Sequence, residues 1–140
     1  MIILDASVAV KWFLPEAGAT AARDLLAEMA GAINVPDIFL TEVTGALVRQ
    51  SNMTKNKRPS MERHIEQLIT LFEHESLHAV RLEHSQLTKA ATLALDLGHP
   101  LKDCIYLTLA MELACPLVTA DARFADKARG VYGDVRGLGE

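Results

Sequence analysis

Cysteine is scarce in this chain. Cys104 and Cys115 are the only two, both within apolar segments, and they read as reduced core residues of a cytosolic protein rather than a disulfide or a metal knuckle. No apolar run approaches the roughly 18 uncharged residues that a membrane span requires. The opening MIILDASVAV has no basic leader and begins at once with strand-like residues, so no signal peptide is expected. Positive charge is also short. The formal net charge is -4, which argues against a protein that holds nucleic acid mainly by bulk phosphate contact. An enzyme with a small acidic centre and a local basic rim stays open. There is no internal repeat, low-complexity tract or interdomain linker. What remains is 140 residues, 50% hydrophobic and 23% charged, which suits one domain over 1–140 around one buried core.

Apolar periodicity and turn residues divide the chain. Residues 1–4 form a short strand that ends at Asp5. Residues 6–14 and 17–30 read as helices split by Pro15. Ile33-Asn34-Val35 is a buried strand closed by Pro36, and a helix runs from Asp37, its cap, to Gln50. The Lys-rich stretch 52–59 is a loop, after which Ser60 caps a helix over 61–73. His78 to Leu82 alternates as a strand does. Helices at 84–97 and 101–114 are separated by the stop and restart Gly98-His99-Pro100. Leu117 to Thr119 is a further strand, 122–129 a last helix, and Val131 to Gly133 an edge strand. Short apolar strands alternating with helices predict a mostly parallel sheet covered on both faces. Sites in such sheets form beyond the carboxyl ends of the strands. Asp5 and Asp121 both occupy that position.

Four carboxylates stand out. Asp5 and Asp121 have an ordinary explanation as caps of the helices they precede, and Asp103 lies in a first helical turn, where the helix dipole favours an anion. Glu42 is harder to explain structurally. Its neighbours at three and four positions are Ile38, Phe39, Gly45 and Ala46, an apolar, small-residue stripe in which an unpaired charge is costly. Asp103 poses the same problem, because LKDCIYLTLAMELA is apolar on most sides; Lys102 and Arg49 can help only from the edges. A divalent cation would relieve the repulsion among acids directed at one space. Oxygen ligands point to Mg²⁺ or Mn²⁺ rather than zinc. Arg49, Lys55, Lys57, Arg58 and Arg63 lie in a stretch whose sole carboxylate is Glu62. That stretch is either a phosphate-facing patch or a solvated loop.

The segments LDASV, TEVTGAL, HPLKDCIYLTLA and LVTADARFADKA resemble, in order and spacing, the PIN-domain ribonucleases, in particular the VapC-type toxins of toxin–antitoxin pairs. The resemblance covers essentially the whole chain. It implies a three-layer α/β/α fold with a short-stranded, mostly parallel central sheet. It also implies an Mg²⁺-dependent endoribonuclease, with Mn²⁺ as the alternative ion, that acts as the toxin of a type II pair and leaves a 5′-phosphate and a 3′-hydroxyl. The family's acidic positions carry over to Asp5, Glu42, Asp103 and Asp121, which hold one ion, or two about 4 Å apart. Ser7 and Thr119 sit where family members often place a hydroxyl near the metal or its waters; both serve equally well as capping or turn residues. RNA-backbone contacts fall to Arg49, Lys55, Lys57 and Arg58. An antitoxin and a homodimer are implied partners. Trp12, Phe13 and Leu14 are core residues or the lining of a groove for a partner helix.

Other readings compete. A PIN nuclease that processes RNA outside any toxin pair has the same site. His74-Glu75-Ser76-Leu77-His78 matches the H-E-x-x-H zinc-peptidase motif, and His84 completes the longer metzincin spacing. Arg81 replaces the glycine that spacing requires, and 78–82 reads as a strand, whereas the two histidines must share a helix face. A receiver domain needs an acidic pair near its first strand, where Asp5 stands alone. A haloacid-dehalogenase-type phosphatase needs D-x-D, but position 7 is Ser, and Ser7 has no G-x-S-x-G frame.

Overall fold

A computed structural model describes all 140 residues. The elements, in chain order, are β1 (Ile2–Leu4), α1 (Ala6–Val10), α2 (Ala19–Met29), β2 (Ile33–Pro36), α3 (Phe39–Met53), α4 (Arg58–Glu73), β3 (Leu77–Val80), α5 (His84–Leu97), α6 (Leu101–Leu113), β4 (Leu117–Thr119), α7 (Ala122–Arg129) and β5 (Val135–Gly137). The strands form one sheet in the order β3-β2-β1-β4-β5. Every pairing is parallel: Ile3 pairs with Asn34 on one side of β1 and with Leu117 on the other, and Leu117 pairs in turn with Val135.

The burial of the strands shows why the sheet is sandwiched. All three residues of β1 and all three of β4 are buried. Successive side chains on a strand point to opposite faces, so both faces must be covered by helices. Helix α6 lies against β1, β2 and β4, and α7 against β4 and β5. Tyr106, Leu107, Phe39 and Phe124 are fully enclosed in the core these layers make. Both cysteines are free and buried, and no helix is long and apolar enough to cross a membrane.

Strand order sets the location of the site. From β1 the chain builds outward through β2 and β3, then returns to place β4 on the opposite side of β1. The crevice between the carboxyl ends of β1 and β4 is therefore the switch point of the sheet. Asp5 follows β1 directly, and Asp121 follows β4 after one residue. Across the crevice, Gly98 adopts φ 59 at the end of α5. Its left-handed backbone, together with a bond from the His99 amide to the Ala94 carbonyl at 3.1 Å, reverses the chain so that α6 can restart after Pro100.

Several element boundaries differ from the sequence expectation. α1 stops at Val10 instead of 14, and α2 starts at Ala19 instead of 17. Asp37 does not cap α3: its Oδ2 accepts from the Leu82 amide at 3.5 Å, and the helix begins at Phe39 and reaches Met53. Ser60 is inside α4, which starts at Arg58 with Pro59 in its first turn, where a missing N–H has no cost. The edge strand is Val135–Gly137, not 131–133. The amides of Val131 and Tyr132 both donate to the Ala128 carbonyl, extending the turn after α7, and the Tyr132 hydroxyl donates to the Cys115 carbonyl at 2.9 Å. Those groups are occupied before the chain reaches the sheet.

Candidate functional site

At the switch point lies a cleft of about 590 Å³ whose lining includes Asp5, Glu42, Asp103 and Asp121. The four acids come from different elements: the ends of two strands, the first turn of α3 and the first turn of α6. Ser7 also lines the cleft. Thr119 is fully buried just beneath it.

Asp5 is the most enclosed of the acids, at 4% exposure. Although it stands at the N-cap position of α1, its side chain makes no capping bond. Its Oδ2 instead accepts from the Ser7 hydroxyl at 2.6 Å and from the Thr119 hydroxyl at 2.8 Å. Each hydroxyl in turn accepts a backbone N–H from the segment after β4: Ala120 donates to Ser7 at 3.0 Å and Asp121 to Thr119 at 3.1 Å. Two main-chain donors are thus relayed through two hydroxyls onto one carboxylate oxygen. Burial, opposed by these two hydrogen bonds and reinforced by the nearby charges of Asp103 and Glu42, raises the Asp5 pKa from 3.8 to about 6.

The same division of labour recurs at the other acids. Glu42 Oε1 accepts from the buried Tyr106 hydroxyl at 2.9 Å, while Oε2 has only the Lys102 ammonium at 3.8 Å. Burial raises the Glu42 pKa, countered by Tyr106 and Lys102 and assisted by Asp103. Burial and the surrounding carboxylates hold the Tyr106 phenol far above its usual range, so it remains a donor. Asp103 Oδ2 is 2.6 Å from His99 Nε2. Asp121 Oδ1 accepts from the Phe124 amide at 3.0 Å and caps α7. Each carboxylate therefore commits one oxygen to the fold and leaves the other without a protein hydrogen bond. All four residues line the cleft, and no buried side-chain polar atom in the protein lacks a partner.

This donor set fits a divalent cation. Four anchored carboxylates with free oxygens converge at one place, and the most buried of them carries an ionisation penalty that a cation would remove. Asp103, Asp121 and His99 in addition bring one ligand atom each within 4.8 Å of one another. His99 is the residue the sequence reading missed. There it marks only a helix stop, and nothing in its local spacing points to Asp121, which arrives from another element.

The expected basic contacts divide. Arg49 lines the cleft. Lys55, Lys57 and Arg58 are exposed around the α3–α4 connection, outside the cleft lining, and Arg58 is held by Glu62 at 2.7 Å. The remaining cations on the cleft are Lys102, Arg123 and Lys127. Arg123 and Lys127 are four apart on α7, a spacing that puts both on one face of that helix. The peptidase motif does not assemble. His74 ends α4, Glu75 turns through φ 60, His78 is in β3 with Nε2 3.2 Å from the Gly31 carbonyl, and His84 opens α5. No helix face carries both histidines of the motif.

Parallel sheet, covering helices and acidic switch-point cleft together define an α/β protein with a carboxylate centre suited to metal. A family model described as the PIN domain matches residues 2–130; the chain belongs to the PIN-domain family. Ribonuclease VapC12 of Mycobacterium tuberculosis is 36% identical over 126 residues, 89% of this chain and 90% of that protein. The crystal structure of Mycobacterium tuberculosis VapC20, described as a sarcin-ricin loop cleaving toxin, aligns with a TM-score of 0.74 at 13% identity, over 97% of this chain and 99% of that one. A toxin–antitoxin complex from Klebsiella pneumoniae aligns with a TM-score of 0.67 at 16% identity, over 96% and 95%. The structural likenesses carry the fold.

Proposed function

We propose that this protein is a divalent-cation-dependent endoribonuclease, using Mg²⁺ or Mn²⁺, and the toxin partner of an antitoxin. The observation that carries the reading is the cleft in which four carboxylates each keep one oxygen free. Membership of the PIN family and the 36% identity to a protein named as a ribonuclease support RNA as the substrate. Likeness to a toxin–antitoxin complex supports the partner.

Asp5, Glu42, Asp103 and Asp121 hold the cations. A cation bound there would supply acidification of a water and compensation of charge on the leaving oxygen. The protein's own part is positioning. Ser7 and Thr119 fix Asp5 through one oxygen, so the other keeps a set direction, and Tyr106 does the same for Glu42. Preorganised ligands need no rearrangement during the reaction. Arg49, Lys102, Arg123 and Lys127 around the acids hold the phosphates on either side of the scissile bond. An acidic floor with a basic rim reconciles a net charge of -4 with a polyanionic substrate.

The test is cleavage of a structured RNA in Mg²⁺ or Mn²⁺ by wild type, Asp5→Ala and Asp103→Ala, with the product ends identified. Wild type should give 5′-phosphate ends, and both variants should lose at least about 100-fold in rate, of the order seen when a major electrostatic element of a site is removed. Equal cleavage by all three proteins would rule the site out.

A further inference from the structure

We propose that His99 is a metal ligand of this centre, donating Nε2 to the cation that Asp103 and Asp121 hold, so that one position is a mixed nitrogen–oxygen site that prefers Mn²⁺ to Mg²⁺. This rests on the reading of the cleft as a metal centre and specifies one of its positions.

Three observations lead to it. First, one ring nitrogen of His99 and one oxygen each of Asp103 and Asp121 lie within 4.8 Å of one another, and Nε2 is the nitrogen that meets Asp103. Donors about 2.2 Å from a common ion are at most about 4.4 Å apart, so small side-chain adjustments bring all three onto one cation. Second, the ring is already fixed. Its side chain is 7% exposed, and it stacks on Phe124 with centroids 4.9 Å apart and an interplanar angle of 16°. The backbone beneath it is held by the His99 amide on Ala94 and by Lys127 Nζ on the Gly98 carbonyl at 3.0 Å. A ligand held this firmly loses little entropy on binding metal. Third, the ring's only hydrogen-bond partner is the Asp103 carboxylate, at 2.6 Å. No backbone carbonyl claims Nε2; in the metal-free protein it donates to Asp103, and a cation at that edge would take the place of this proton, leaving the ring proton on Nδ1.

The choice of ion follows from the donor. Mg²⁺ takes oxygen ligands and keeps its waters, whereas imidazole nitrogen favours first-row transition ions. A nitrogen at one position raises affinity for Mn²⁺ and leaves Mg²⁺ almost indifferent. The other four histidines, His64, His74, His78 and His84, do not line the cleft, so a nitrogen signal from bound Mn²⁺ has one source.

Mn²⁺ binding to the full-length protein should be followed by electron paramagnetic resonance, with Mg²⁺ affinity from competition and with pulsed measurements on the bound ion. Wild type should bind Mn²⁺ about tenfold or more tightly than Mg²⁺ and show modulation from a directly ligated nitrogen. His99→Asn, which keeps a donor toward Asp103 but removes the imidazole, should abolish the modulation and lower Mn²⁺ affinity about tenfold with less than about twofold change for Mg²⁺. His99→Gln replaces it if the Asn variant does not fold. Bound Mn²⁺ without nitrogen coupling in wild type, no preference over Mg²⁺, or equal loss of both ions in the variant would each overturn the assignment and leave the oxygen-ligated centre standing. Failure of wild type to bind either ion would remove the centre itself.

Discussion

Replacing Asp5 by Asn should make the metal-free protein more stable while weakening its hold on metal. Asp5 is 4% exposed and has no cation beside it, and its carboxyl group is shifted from 3.8 to about 6 by burial, against the help of Ser7 and Thr119. A folded-state pKa above the unfolded value means that the contribution is fully present below about pH 4 and is lost as the pH rises through 6. At pH 7.5 the ionised carboxylate costs on the order of 3 kcal/mol. An Asn side chain can accept from both hydroxyls through its own oxygen and avoids that charge. For a chain of this size the difference amounts to about 5–10 °C in melting temperature, allowing for relaxation around the charge. The assay is thermal unfolding in chelator, from pH 4 to pH 7.5. The gain of Asp5→Asn over wild type should be near zero at pH 4 and grow through pH 6. Saturating Mn²⁺ should then raise wild type by more than the variant, because a ligand that binds only the folded state stabilises it in proportion to its affinity. A variant less stable than wild type at pH 7.5, or a gain that is the same at every pH, would mean that the ionised Asp5 carboxylate does not destabilise the fold.

Asp121 both caps α7 and faces the cleft, and two substitutions separate the roles. Asp121→Asn should retain the melting temperature of the metal-free protein while weakening metal binding, whereas Asp121→Ala should lose about 1 kcal/mol as well; undiminished metal affinity in the Asn variant would make Asp121 a cap alone. Tyr106→Phe removes the donor to Glu42 at 2.9 Å with almost no change of volume. Single-turnover RNA cleavage should slow about tenfold or more, in line with about 1.5–3 kcal/mol for a hydrogen bond to a charged group, and an unchanged rate would show that Glu42 needs no such anchor. Ala114 closes α6 at φ 50, a left-handed conformation that costs a residue with a Cβ. Ala114→Gly should raise unfolding free energy by about 0.5–1 kcal/mol in denaturant titration, and no change or a loss would contradict the strain.

How much of this was legible in the sequence depended on how local the signal was. The strands could be read because each is a short apolar run between turn residues, and the Gly98-Pro100 reversal because its two residues act on their own backbone. Asp5 and Asp121 could be located because they follow strands directly. Asp37 and Ser60 look like caps by type, but tertiary partners decide their fate: Asp37 is claimed by the Leu82 amide and Ser60 is overtaken by a helix that starts earlier. The edge strand was misplaced for a similar reason, since bonds to Ala128 and Cys115 occupy 131–132. At the candidate site the sequence pointed to the four acids that line the cleft and weighed them differently. Glu42 and Asp103 seemed to be the acids without counter-ions, yet Lys102 and His99 attend them. Asp5, which like Asp121 has no cation within ion-pair distance, is the most buried of the four. Its anchoring depends on Thr119, 114 positions away, and no spacing rule reaches that far. His99 was overlooked because its two carboxylate neighbours include Asp121, from beyond α6 and β4.

Each of the four carboxylates is expected to offer its free oxygen to a cation. Anomalous diffraction from crystals soaked in Mn²⁺ tests it most directly. Density is expected in the switch-point cleft, within coordination distance of the free oxygens of Asp5, Glu42, Asp103 and Asp121. A cleft without anomalous density at saturating Mn²⁺, or an ion bound only at the surface away from these four residues, would contradict it.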